Sequence, residues 1–295
     1  MASTPAPTDE LVLRELAGIA EISAAAALIS AVFGATDGEP VPADLMMGIA
    51  LSGGYVGGAF LGGRLVGVAV GFGEIAAPGA PSASPSMHSH VAAVSTAARG
   101  RRVGRSLKLH QRDWALDRGI GAIEWTFDPL VRRNAFVNLS LLGATGVRYL
   151  PNLYGEIPDA LNAGQESDRV LVRWDLTSPR AAAAAVGDLS EPVVTDDEIA
   201  TASLPPGIDR DTPAAPHPHR ERDTDDTPAP GPPPRTPQRH LCGTPADIEH
   251  LLRSDPDAAR GWRAAQRAVL QPAIDGGAHL TGITRTGWYV LEESA

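Results

Sequence analysis

The chain is poor in cysteine, in positive charge and in unbroken apolar runs, and each shortage removes a class of function. Its 295 residues include a single cysteine, Cys242, so an internal disulfide framework and a cysteine-based metal site are both excluded. Lys and Arg number 25 against 35 Asp and Glu, a formal net charge of −10. Neutralising a phosphate backbone takes a basic surface, which sets general nucleic-acid binding aside. The apolar stretch after Gly18 is interrupted by Glu21 and by serines. Within it Ile19, Ile22, Ala26, Ile29 and Phe33 recur at helical spacing, the pattern of a core helix and not of a signal or membrane segment. The opening MASTPAPTDE is acidic where a secretory signal carries positive charge. A cytoplasmic protein with no nucleic-acid and no membrane partner is expected.

What is present suffices for folding. With 43% hydrophobic and 20% charged residues, the chain can bury one large core or two small ones. Its organising stretch is 87–119, MHSHVAAVSTAARGRRVGRSLKLHQRDWALDRG. His88, His90, Ala92 and Val94 alternate with Ser89, Val91, Ala93 and Ser95, the period of two that a strand imposes. Arg99-Gly100-Arg101-Arg102-Val103-Gly104 breaks that period. Its glycines let backbone N–H groups approach a ligand, and a helix starting at Val103 aims its unpaired amides and positive dipole end at the same place. Such a turn suits phosphate. On the helix, Val103, Leu107, His110 and Trp114 fall on one side. Arg101, Arg105, Lys108 and Arg112 fall opposite and are expected to face solvent. Gly119 stops the helix, and 120–127 reads as the next strand. A nucleoside-triphosphate loop is excluded: residues 100–104 are one residue short of Gly-x-x-x-x-Gly-Lys-Ser/Thr, and Arg105 stands where its lysine belongs.

A different phosphate turn fits better. Residues 99–104 resemble the pyrophosphate turn of the GNAT acetyltransferases, Arg/Gln-x-x-Gly-x-Gly/Ala, at Arg99, Val103 and Gly104, and depart from it at Arg102, which replaces the middle glycine. Elsewhere the pattern predicts a strand at 11–13, helices at 18–33 and 43–51, a glycine-rich hairpin over 54–73, a helix at 132–142 and strands at 147–150 and 169–174. The element order is then strand, helices, three strands, helix, strand, helix, strand, strand. It resembles the GNAT fold over about residues 11–177, which implies an α+β class with a mixed, mostly antiparallel sheet flanked by helices. The segment WTFDPLVRRNAFVNLSLLGATGVRYLPNLYG is similar to the region beyond the cofactor turn in bacterial GNAT acetyltransferases of unassigned substrate. Three segments are expected: an acyltransferase lobe over 1–178, a disordered proline-rich linker over 179–243, and a small C-terminal module of helices and a hairpin over 244–295. The stretch 204–240 is about one-third proline and too poor in apolar side chains to offset chain entropy. His217 and His219 within it are read as incidental, and no metal is expected. The C-terminal module is too small to stand alone and is expected to pack on the first lobe.

Acyl transfer from a thioester to an amine needs a neutral amine, a polarised carbonyl and a proton for the leaving sulfur. His88 and His90 share a strand face beside the anion turn, and imidazole titrates where it can remove an ammonium proton through water. The run His-x-His-Val-x-Ala-Val before the turn is similar to arylalkylamine N-acetyltransferases, and that resemblance implies His88 and His90 as a base relay. The same family's helix tyrosine falls near Leu139, which cannot donate a proton. Tyr154 is the substitute acid, and Tyr149 reads as a packed strand residue. Asn138 is expected to hydrogen-bond the pantetheine arm, and the N–H of Val94 to meet the oxyanion where the strand splays. Arg99, Gly100, Arg101, Arg102, Val103, Gly104 and Arg105 are expected to hold the pyrophosphate. The expected function is acyl-CoA-dependent N-acyltransfer, from acetyl-CoA to a small-molecule amine, by a monomer or homodimer. A non-catalytic acyl-CoA sensor is the alternative.

Overall fold

Strand β1 (Leu11–Glu15) leads into helices α1 (Gly18–Phe33) and α2 (Ala43–Leu51), and strands β2 (Tyr55–Leu61), β3 (Arg64–Gly73) and β4 (Ser86–Val94) follow. Helix α3 (Val103–Leu116), strand β5 (Ala122–Phe127) and helix α4 (Arg132–Ala135), which continues as a π-helical turn over Phe136–Leu141, precede strands β6 (Thr145–Leu150) and β7 (Arg169–Asp175). This is the order expected from the sequence. The computed structural model describes residues 10–34, 39–75, 85–155, 165–202 and 239–293. Its later elements are α5 (Pro179–Val186), α6 (Asp196–Thr201), β8 (Arg239–Gly243), α7 (Ile248–Ser254), α8 (Pro256–Asp275), β9 (Ala278–Ile283) and β10 (Trp288–Glu293). The class is α+β, with a mixed, mostly antiparallel sheet flanked by helices.

Two compact units divide the chain. The first holds the described residues of 10–126 and 173–188, and the second those of 127–155, 165–172 and 189–293. In the first, strands run in the order β1-β2-β3-β4-β5, antiparallel except for the parallel pair β4–β5. Ile22, Ala25, Ala26 and Ile29 of α1 and Met46 of α2 pack with Val56, Val68, Val70 and Ala93 on one sheet face. The isoleucine, valine and methionine side chains among these each contribute about 1.5–3 kcal/mol when fully buried. The opposite face takes α3. Gly67, next in β3 to the core residue Val68, leaves space for Leu107 and Val103; a Cβ there would sit 2.9 Å from each.

Of the four basic residues expected to face solvent, Arg101, before the helix, is exposed, but Arg105, Lys108 and Arg112 of α3 are covered, contrary to expectation. The segment after β7 lies over them: Arg112 donates to Leu176 O at 2.9 Å, and Arg105 donates to Ala184 O, at the end of α5, at 2.5 Å. Lys108 is buried beneath. The helix angle separated the two sides correctly, but nothing in it reveals that a second element covers the basic one.

The second unit orders its strands β7-β6-β9-β10-β8. Its residues 278–293 form a hairpin that meets β6 at Gly146↔Leu280 and pairs with β8 on the far side. Helix α8 presents buried Arg263 to Asp128, at 2.8 and 3.2 Å, while Tyr289 Oη donates to Pro129 O at 2.7 Å. Residues after 244 therefore share a unit with 127–155, so the division expected at residue 178 is not the one observed.

The linker expected over 179–243 is also too long. Helix α5 has Ser178 as N-cap, Pro179 in its first turn and Gly187 in the left-handed region at φ 82°, and α6 is closed by a Thr195–Glu198 capping box. Strand β8 buries Leu241 and Cys242 beside β10. Residues 203–238, with most of the proline-rich stretch, lie outside the described residues. Cap signatures at Ser178 and Thr195 were legible, and the composition of the neighbouring stretch masked them.

Candidate active site

Strand β4 carries the candidate base pair, and a bulge sets its geometry. Val70 pairs with Val91 and Gly71 with Ser89, so His90 is the extra residue on β4. The alternation expected for residues 88–94 therefore breaks. Val91 and Ala93 pack into the core with α1, whereas Val94 lies 3.7 Å from the position of a Cβ at Gly104 of α3. His88 and His90 still come together, with ring centroids 6.1 Å apart, and both meet the ring of Phe72, at 5.4 and 5.9 Å. Burial lowers the pKa of each imidazole below its ordinary value, and His90 lowers that of His88 further. Both are neutral at physiological pH, the state in which imidazole accepts a proton.

Beside them the sheet opens. Strand β5 pairs in parallel with β4 at Ser86↔Ala122, Met87↔Ile123 and His88↔Glu124, and among the described residues no further pair joins them. Val94 lies at the far end of β4, past this divergence. Glu124, register-paired with His88, raises the imidazole pKa, as does Glu74, and its carboxylate is held by Arg173. Sequence reading did not single out Glu124. Its signal was its place on the strand next to His88, which needs the parallel register to be seen.

The candidate anion turn follows β4 directly. After a single 3₁₀ turn at Thr96–Ala98, Arg99, Gly100, Arg101 and Arg102 are exposed, while Val103 is buried and starts α3. Arg102 takes φ 59° and ψ 15°, the left-handed conformation that glycine adopts at least cost. The residue that departs from the family turn thus keeps the backbone shape a glycine would give. Among the described residues no side chain caps α3, and Ser106 N, bonded to Arg102 O at 3.0 Å, begins the helical ladder. The amides of Val103, Gly104 and Arg105 are the N-terminal donors that precede that ladder. The Arg105 guanidinium itself is turned away to α5.

Asn138 and Tyr154 belong to the second unit. Asn138 is buried in the π-helical turn, where its carbonyl accepts from Ala144 N at 3.0 Å. Tyr154 is 57% exposed, its amide donates to Ser167 Oγ at 2.8 Å, and the Arg169 guanidinium lies 5.4 Å from its ring. Tyr149 is buried and donates to Asp168 at 2.6 Å, as a packed residue.

No family model matches the chain, and no curated protein does. Solved structures similar to it include acyltransferases. An N-acetyltransferase from Staphylococcus aureus Mu50 is 15% identical over 57% of this chain and 99% of its own, with a TM-score of 0.47. The putative acetyltransferase yncA from Salmonella typhimurium, solved with acetyl-CoA, is 18% identical over 57% and 95%, with a TM-score of 0.46. FeeM, an N-acyl amino acid synthase from uncultured soil microbes, is 18% identical over 59% and 98%, with a TM-score of 0.44. Among the described residues no group of three or more His, Cys, Asp or Glu is placed to hold a metal ion, and no helix is long and apolar enough to cross a membrane.

Proposed function

We propose that the chain is a GNAT-type N-acyltransferase that moves an acyl group, acetyl first among the candidates, from coenzyme A to the amine of a small molecule. The observation that carries this reading is the join between β4 and α3. Two neutral imidazoles, a strand pair that opens and an uncapped helix start behind a left-handed Arg102 follow one another within one stretch of chain. The helix amides and the arginines of the turn bind pyrophosphate. His88 and His90 take the ammonium proton of the acceptor through water, leaving a lone pair to attack the thioester carbonyl. The N–H of Val94 or a neighbour meets the oxygen as it gains charge. The C–S bond then breaks and the acylated nitrogen loses its second proton, which water passes to the departing thiolate, while the first proton leaves the relay for solvent. Asn138 and Tyr154 keep their expected roles, pantetheine contact and acid, as proposals that the imidazole and turn assignments do not need.

The turn assignment is tested by Gly104→Pro. Proline is tolerated in the first helical turn but removes one amide donor, so acetyl-CoA affinity in calorimetry should fall by roughly 2 kcal/mol. An unchanged isotherm in a folded variant contradicts the assignment.

A further inference from the structure

Lys108 occupies a place that disfavours its charge. Its side chain is buried, Nζ donates to Ser89 Oγ at 2.6 Å and to Gln111 Oε1 at 3.2 Å, and the ammonium stands 3.9 Å from the Trp125 ring centroid. Among the described residues no carboxylate forms an ion pair with it, and burial alone brings its pKa down to about 7. An apolar side chain of similar volume would fill this space without the desolvation cost of an amine. What the amine holds is Ser89, the residue between the two imidazoles and the last one paired to β3 before the bulge. Room for this arrangement comes from Gly71 opposite, where a Cβ would sit 2.9 Å from His88 O and 3.1 Å from Gln111 Nε2.

We propose that Lys108 is a positioning residue: from the α3 face, through Ser89, it fixes the β4 bulge that sets His88 beside His90, and its charge opposes protonation of His88 across the sheet. The charged groups facing His88 divide by sign. Glu74 beyond β3 and Glu124 of β5 favour the imidazolium, while His90 and Lys108 disfavour it. Around Lys108 itself, Arg112 and Arg105 of the same helix are turned to the carbonyls of Leu176 and Ala184, and Glu124 is held by Arg173. Below neutral pH, where His88 titrates, Lys108 carries its proton and so keeps the imidazole neutral to lower pH.

The test follows the two imidazoles by NMR in the full chain with labelled histidine, without coenzyme and without acceptor. In Lys108→Met the His88 midpoint should rise by roughly half a pH unit or more. In Ser89→Ala, which keeps the amine, the ring-to-ring nuclear Overhauser effect between His88 and His90 should weaken, and Ser89→Thr should restore it. Acetyl-CoA affinity should stay within about twofold throughout. The link to turnover rests on the base reading proposed above, but the titration does not. A shifted midpoint with unchanged turnover would count against the base reading and leave the positioning role standing. If Lys108→Met does not fold, the Ser89 pair decides alone. Wild-type His88 midpoints in folded Lys108→Met, or a wild-type ring contact in Ser89→Ala, would overturn the proposal.

Discussion

A left-handed backbone at Arg102 stores strain that glycine would release. Arg102→Gly should therefore stabilise the chain by about 1 kcal/mol in urea unfolding, whereas Arg102→Ala, which loses the charge but keeps the strained conformation, should not. Equal stability of the two variants would mean that the turn relaxes. Lys108 gives a second residue-scale expectation, through pH. Its folded pKa, about 7, lies below the ordinary lysine value of 10.5, so the unfolded chain binds more protons between those limits and stability rises with pH across them. Relative to wild type, Lys108→Met should thus gain stability near pH 7, on the order of 3 kcal/mol, and lose that advantage as pH approaches 10. A difference independent of pH, read by urea unfolding at both ends, contradicts a neutral buried amine. At this scale the sequence singled out His88, His90 and the turn residues as candidates, because their types and spacing are unusual. It hid Lys108 and Glu124, whose roles depend on what lies across the sheet.

Among the elements, the second unit is tied together by Asp168, which is fully buried and accepts from Tyr149 Oη, Asn152 N and Arg267. Burial pushes its pKa up, but Arg267, Tyr149 and the Asn152 amide outweigh burial and hold it below the usual carboxylate value. Removing the arginine leaves an uncompensated buried charge, so Arg267→Met should cost about 3 kcal/mol at pH 7. Because the folded pKa is depressed, that stabilisation is present above the unfolded carboxylate value and lost as pH falls below it. The gap between wild type and Arg267→Met should then close below about pH 4, and a gap that persists there would place the effect in packing instead. Element order was legible because apolar periods of two and 3.6 run clearly from β1 to β7. The β4 bulge was not, since an inserted residue leaves a sequence that still alternates, and only pairing with β3 exposes it.

For the whole molecule, the division into units escaped the sequence for a related reason. Composition marks the proline-rich stretch, but the hairpin β9–β10 joins β6 through Gly146, where a Cβ would come within 2.8 Å of Leu280, and a lone glycine in a strand announces no partner. The functional account, by contrast, stands on one continuous segment from β4 to α3, where sequence and structure meet most closely. Its most direct test is thiol release from acetyl-CoA across a panel of primary amines, followed over pH for wild type and the His88→Gln, His90→Gln double variant. The account predicts amine-dependent release that falls by about 10²- to 10⁴-fold in the double variant, with acetyl-CoA affinity within about threefold of wild type. Release that no amine stimulates, or release undiminished at every pH in the folded double variant, would contradict it.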